Sequence, residues 1–263
     1  SNLFNLLIIG LIDIFWRDGP ILQSVSKTAS VVGILGIAII SFATVAMLVH
    51  SGLGAAGNWY ISPLSVLLVL VFLGALYIVF VSDKNSESSQ NIIDGAERKA
   101  PEERLLRAVL TYLGSAVLII GAAVWLAQTG DHLAKEMGWD ASFVGTQFLA
   151  LSTSLPELAA SFAAIRIGAP ELAISNVLGS NLFNMGFVLF VDDLAYTGGS
   201  LWFVISQVHV LTAVIAILMT SVVVLSLAES VKYPHGKRWT VESFTLIGMY
   251  ILGSVAIYYL STL

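Results

Sequence analysis

Nine residues, Ala150-Leu151-Ser152-Thr153-Ser154-Leu155-Pro156-Glu157-Leu158, place a carboxylate, three hydroxyls and a proline inside an otherwise apolar run covering 143–165. Pro156 has no N–H and its ring crowds the carbonyl of Ser152, so a helix through this segment is expected to break, leaving carbonyl oxygens from Ala150 to Thr153 short of partners. Thr153 lies four residues before Glu157 and Ser154 three, which aims two hydroxyls and the carboxylate from one helix face. Carbonyl, hydroxyl and carboxylate oxygens together suit hard cations such as Na⁺ and Ca²⁺. Glu157 is the fifteenth residue of its 23-residue run. At such a depth in a bilayer an isolated carboxylate costs about 2.5 to 3.5 kcal/mol on insertion scales, so a compensating partner is required. The next apolar run, 172–191, carries Ser180 and Asn184 four residues apart and at a similar depth. A second polar face therefore stands ready to meet the first.

That second face belongs to a repeat. Ser1-Asn2-Leu3-Phe4-Asn5 recurs unchanged as Ser180-Asn181-Leu182-Phe183-Asn184, and each copy continues through apolar residues to an aspartate at the same offset, Asp13 and Asp192. Asp13, Asp192 and Asp193 lie near the ends of apolar runs, where an interfacial position accounts for them. Ala159, Ala160, Ser161, Ala163 and Ala164, with Ser175 and Gly179 on the following run, allow the close backbone approach that a compact site needs. His50 and His209 sit near run ends without an evident role.

The elements that position these groups are membrane helices. Hydrophobic residues make up 57% of the chain, charged residues 11%, and the mean hydropathy is +0.89, too little polar surface for a soluble fold. Apolar runs at 28–49, 61–81, 108–127, 143–165, 172–191, 204–227 and 244–260 each approach the roughly 20 residues that a spanning helix needs. The run 3–16 is too short to span and reads as a severed helix, giving seven whole spans and one partial. With connections assigned alternately to two sides, eleven of the twelve Lys and Arg fall on one side and Lys135 alone on the other. The crowded side is then cytoplasmic and the C-terminus outside. Trp16, Trp59, Trp139, Trp202, Trp239 and Tyr233 fall at span ends, as interfacial rings do.

In this orientation the two repeat copies run in opposite directions. Inverted repeats are a signature of secondary transporters, whose substrates bind near the midplane where the halves meet. The expected fold is thus an all-α membrane protein of inverted-repeat transporter type, with 1–82 the remainder of a first half, 83–104 a cytoplasmic linker of ten mixed charges, and 105–263 a complete second half. Residues 129–142 are expected to prolong the preceding helix and turn at Gly138. The absence of Cys excludes disulfides and thiolate metal sites.

The segment STSLPEL at 152–158, followed by SNVLGSNLFN at 175–184, resembles the second alpha-repeat, 143–191 here, of the calcium/cation antiporters, the sodium/calcium exchanger group. The resemblance implies ten helices in the full-length protein, two of them upstream of Ser1, and exchange of Ca²⁺ for Na⁺ by alternating access. It places cation ligands on the carbonyl of Ala150, on Thr153, Ser154 and Glu157, on Ser180 and Asn184, and, from the first copy, on Ser1 and Asn5. The partner carboxylate of the first repeat is expected upstream, so the missing helices are needed to complete the site. Ser152 and Ser175 stand where the family usually has Gly. Asn occupies both Asn5 and Asn184, where some members carry Asp, which implies no K⁺ requirement. A cation/H⁺ antiporter of the same fold, a transporter of another divalent ion and a passive cation channel remain as alternatives. No enzymatic chemistry, cofactor or nucleic-acid partner is expected. The partners are Ca²⁺, Na⁺ and lipid, and the short linker suits a prokaryotic cytoplasmic membrane.

Overall fold

The computed structural model describes residues 1–16, 18–53, 61–84, 102–228 and 240–261, and every regular element among them is helical. In chain order these are α1 (Asn2–Phe15), α2 (Lys27–Leu53), α3 (Pro63–Lys84) and α4 (Glu102–Met137). A segmented stretch follows: α5 (Ala141–Val144), a π-helical turn (Gly145–Leu149), α6 (Ala150–Thr153) and α7 (Leu155–Arg166). Next come α8 (Pro170–Phe183), a second π-helical turn (Asn184–Val188) and α9 (Leu189–Ala195), then α10 (Val208–Ala228) and α11 (Val241–Ser261). One-turn 3-10 helices at Ile21–Ser24 and Leu201–Phe203 precede α2 and α10.

Six helical stretches are long and apolar enough to cross a bilayer, the bent pair ending in α7 makes a seventh, and α1 is a shorter apolar helix. This is the seven-plus-one arrangement expected from the apolar runs. Side-chain caps fix several boundaries. The Ser26 hydroxyl accepts from the Thr28 N–H at the start of α2, and Ser206 does the same for Val208 at the start of α10. Ser62 caps Leu64 in α3, and Thr240 caps Ser243 in α11. Each bond satisfies a donor that the first turn leaves without an intrahelical acceptor. The turn expected at Gly138 is present, with a positive φ of 64° that glycine tolerates without strain.

The core is built around α1. Residues 3 to 10 of this helix are all buried, and it packs against α7, α8, α10 and α11. A helix apolar on every side is stable only when enclosed by other helices. At the opposite extreme, the apolar window of α4 has no buried residue among those described. Near its C-terminal end α4 touches the bundle where Gly130 meets Leu149 of the first π turn. The second π turn is pressed onto α3, since a Cβ on Gly186 would fall 2.4 Å from a ring carbon of Phe72.

Two expectations about side chains are corrected. Trp16 and Trp202 are core rather than interfacial rings: both are buried, and Trp202 stacks on His50 and donates its indole N–H to the Ser65 hydroxyl. Among the small residues, Ser161 and Ala164 face into the packing against α8, whereas Ala159, Ala160 and Ala163 are exposed. Trp59, Tyr233, Trp239, residues 85–101 of the linker and Arg17, Lys232, Lys237 and Arg238 lie outside the described residues.

Candidate functional site

The break foreseen from Pro156 is present. The helical directions before and after Ser154 differ by 44°, and Ser154 itself leaves the helical basin at φ −96° and ψ 1°. Proline occupies the first turn of α7, where its missing N–H removes nothing. The carbonyls are less free than expected. The Ser154 N–H donates to the oxygens of Ala150 and Leu151, and the Thr153 hydroxyl donates to Leu149 and Ala150. Ala150 O therefore accepts twice, which occupies both lone pairs of a carbonyl.

The kink also divides the hydroxyl pair. Thr153 is exposed and turns back on its own helix, while Ser154 is fully buried with no partner for Oγ. Glu157 projects toward α8, where its Oε1 accepts from the Ser180 hydroxyl at 2.9 Å and its Oε2, also buried, has no hydrogen-bond partner. The two polar faces thus meet, as their common depth required. Close packing beneath them rests on Ser161, whose hydroxyl reaches the Ala173 carbonyl at 3.4 Å.

α1 completes the cluster through a reciprocal set of bonds. Asn5 donates through Nδ2 to Asn181 Oδ1 at 2.9 Å, and Asn184 donates to Asn2 Oδ1 at 3.3 Å and to the Ser1 hydroxyl at 2.9 Å. The third polar residue of each SNLFN copy therefore holds the second polar residue of the other. Asn181 further donates to the Asn2 carbonyl at 3.2 Å. Asn5 is fully buried, and its Oδ1 has no partner.

Of the sequence-derived candidates, Glu157 and Ser180 are directly bonded, as are Ser1 and Asn184, Asn5 joins them through Asn181, and Ser154 presents an unpartnered buried oxygen. Thr153 keeps its lone pairs; Ala150 does not. Three further residues belong to the cluster. Asn2 and Asn181 were visible as members of the exact repeat, and Asn176 precedes Ser180 by four residues, so that Asn176, Ser180 and Asn184 form one row along the chain from α8 into the π turn. No group of three or more His, Asp or Glu side chains that could hold a metal occurs among the described residues. Any cation here would meet one carboxylate, hydroxyls and carboxamides. A cavity of about 480 Å³ opens beside the cluster, lined by Ser1, Asn2, Thr146, Asn184, Asp192 and His209 among others.

A multi-pass bundle of apolar helices, with a broken span whose half-buried carboxylate faces a row of amide and hydroxyl groups, has the form of a membrane transporter. The sodium/calcium exchanger protein family model matches residues 107–259, and the chain belongs to that family. It is 28% identical over 134 residues to inner membrane protein YrbG of Escherichia coli, covering 49% of this chain and 41% of that protein. It is 24% identical over 229 residues to the Ca²⁺/H⁺ antiporter ChaA of Bacillus subtilis, covering 87% of this chain and 63% of that protein. The chain thus spans less than two thirds of the length of these relatives. The solved structure of native YfkE superposes with a TM-score of 0.59 at 19% identity, covering 98% of this chain and 72% of YfkE, which shows a shared fold.

Proposed function

We propose that this chain forms the greater part of a secondary transporter that exchanges Ca²⁺ for Na⁺ by alternating access, with cations bound between α6, α7, α8 and α1. The observation that carries this reading is the trio of buried oxygens without hydrogen-bond partners, Glu157 Oε2, Ser154 Oγ and Asn5 Oδ1, on elements in mutual contact. Buried polar atoms are paired in the great majority of cases, and an unpaired carboxylate oxygen is among the more expensive exceptions. Cations ligated there would satisfy all three oxygens, and hard oxygen donors select Na⁺ and Ca²⁺ over softer metals. Thr153, Ser180, Asn184 and Ser1 would complete the coordination, with the Ala150 carbonyl contributing only if its present donors turn away. The reciprocal asparagine bonds support an inverted repeat comprising 1–82 and 105–263, joined by the 83–104 linker. On this reading the C-terminus is outside a prokaryotic cytoplasmic membrane, and upstream helices supply the second carboxylate.

Transport of Ca²⁺ against H⁺ is the second reading, favoured by similarity over most of the chain to a protein named a Ca²⁺/H⁺ antiporter. The full-length protein in proteoliposomes decides between them. Uptake of ⁴⁵Ca²⁺ should follow an outward Na⁺ gradient and ignore a pH gradient. Uptake driven only by pH would establish the H⁺ antiporter, and dissipative uptake needing neither gradient would mean a channel.

A further inference from the structure

Outside the site, two aspartates hold matching positions that the repeat alone misplaces. The Asp13 carboxylate accepts from the Ile21 N–H at 2.7 Å, from the Thr240 hydroxyl at 2.8 Å and from the Ser243 hydroxyl. The Asp193 carboxylate accepts from the Leu201 N–H at 2.7 Å, from the Ser200 hydroxyl at 2.9 Å, from the Ser62 N–H at 3.0 Å and from the Ser65 hydroxyl at 2.6 Å. Both carboxylates are buried. Each Oδ1 thus receives the N–H eight residues ahead, at the start of a 3-10 turn. Each Oδ2 receives donors from the capping residue and third residue of a helix distant in sequence, α11 for Asp13 and α3 for Asp193.

The true counterpart of Asp13 is therefore Asp193, although Asp192 stands at the same offset from the SNLFN motif. Ser180 lies 179 residues after Ser1, while Asp193 lies 180 after Asp13. The π turn at Asn184–Val188 takes up the extra residue, since its i→i+5 bonds accommodate one more residue than the regular helix in α1. Beyond it the shift of 180 persists. Trp16 and Tyr196 both end their helices in extended conformation, and Ser26 and Ser206 both cap the helix that follows.

We propose that Asp13 and Asp193 are positioning residues of the cation site, a pair of crossed latches that fix the depth of α1 against α11 and of α9 against α3. This rests on the antiporter reading in one respect only, that the cluster so positioned binds the transported ion. Asp13 is eight residues beyond Asn5, about 12 Å along α1, and Asp193 is nine beyond Asn184. An axial slip of either helix would pull apart the Asn5–Asn181 and Asn184–Asn2 pairs, because each pair joins one helix that a latch holds to one held by the other. The latches cross between the segments 1–84 and 102–261. Neither segment can shift along the membrane normal without breaking both.

The two latches differ chemically in a way that separates them experimentally. Asp193 receives a backbone N–H on each oxygen, and an N–H cannot reverse its role. Asp193→Asn must turn its own NH₂ group toward either Ser62 or Leu201 and leave a buried donor unpaired. At Asp13 the Oδ2 partners are hydroxyls, which can accept instead of donate, so Asp13→Asn keeps every contact.

The test uses the full-length protein in proteoliposomes, with amide hydrogen exchange and Na⁺-driven ⁴⁵Ca²⁺ uptake measured on the same preparations. Asp193→Asn should lose protection at Ser62 or at Leu201, whichever N–H then faces the NH₂ group, and raise the half-saturating Ca²⁺ concentration about tenfold at little changed maximal rate. Asp13→Asn should stay within about twofold of wild type in both measures. Equal behaviour of the two variants, or unchanged protection in Asp193→Asn, would overturn the proposal. If Asp193→Asn does not accumulate in the membrane, Ser200→Ala, which removes one hydroxyl donor, should raise half-saturation about threefold; no change would overturn it equally. Selective loss of protection in Asp193→Asn with no Ca²⁺ transport by wild type would sustain the latches and remove the antiporter reading.

Discussion

Replacing Glu157 by Gln separates charge from shape. The Gln Oε1 can keep the 2.9 Å bond from the Ser180 hydroxyl, and the amide nitrogen falls where Oε2 now sits without a hydrogen-bond partner. No donor loses its acceptor, so the unfolding free energy should change by no more than about 1 kcal/mol. On the proposed reading, what disappears is the unit charge that would face the cation. At an effective dielectric constant near 20 and a separation of about 4 Å, one unit charge attracts another by about 4 kcal/mol, and a divalent ion by about 8. Even the smaller figure corresponds to roughly a thousandfold weaker binding. In proteoliposomes of the full-length protein, Na⁺-driven ⁴⁵Ca²⁺ uptake should therefore fall to background while thermal unfolding is barely shifted. Uptake within threefold of wild type would refute both the ligand role of Glu157 and the electrostatic reasoning behind it.

Other substitutions probe separate contacts. Ser154→Ala removes a buried hydroxyl that has no partner, so the fold should be stabilised or unchanged while half-saturation for the cation rises about tenfold; equilibrium ⁴⁵Ca²⁺ binding reads the second effect, and unaltered affinity would exclude Ser154 as a ligand. Asn181→Leu strands the Asn5 amide group and frees the Asn2 carbonyl, which should cost about 2 kcal/mol or more in thermal unfolding, with Asn184→Leu milder because that side chain is half-buried. Gly186→Val drives a side chain into Phe72 and should cost about 1 to 3 kcal/mol in thermal unfolding, part of it recovered only in the double variant with Phe72→Gly, because the Phe72 Cβ itself lies 2.6 Å from the added carbon. Absence of recovery would mean that the π turn tolerates no side chain for reasons other than this contact.

Much of the architecture was legible because lipid imposes simple rules. Apolar runs of spanning length located the membrane helices, and a proline within one of them located its break. The meeting of Glu157 with Ser180 followed from equal depth and helical spacing alone. Side-chain direction at the kink was not legible. The non-helical dihedrals of Ser154 turned its hydroxyl inward and left Thr153 outside, whereas spacing on an unbroken helix assigns both to one face. Nor was the fate of the Ala150 carbonyl, because the Ser154 N–H still reaches it across the kink and a hydroxyl three residues on adds a second donor. Trp202 misled for a related reason: position at a span end suits the interface, but a hydroxyl acceptor at Ser65 and a stacking partner in His50 make burial equally good.

The aspartates show most clearly where sequence periodicity stops being a guide to space. A repeat aligned by identity pairs Asp13 with Asp192, and both then look like interfacial charges. A single π turn advances the second copy by one residue, which rotates a helix by about 100° and exchanges an exposed aspartate for a buried one. Only with that rotation does Asp193 reach the backbone of Ser62 and Leu201, and only then do the two copies make equivalent bonds at both ends. The π turn begins at Asn184 itself, directly after the last residue of α8. The residue that sets the register of the latch is therefore also the one that closes the asparagine cluster. Removing one residue from the π turn after Asn184 would leave this asparagine and the latch aspartate eight residues apart, the spacing that Asn5 and Asp13 keep in the regular helix α1. Such a deletion should therefore retain both the latch and the cluster, and equilibrium ⁴⁵Ca²⁺ binding lost on that deletion would refute the register argument.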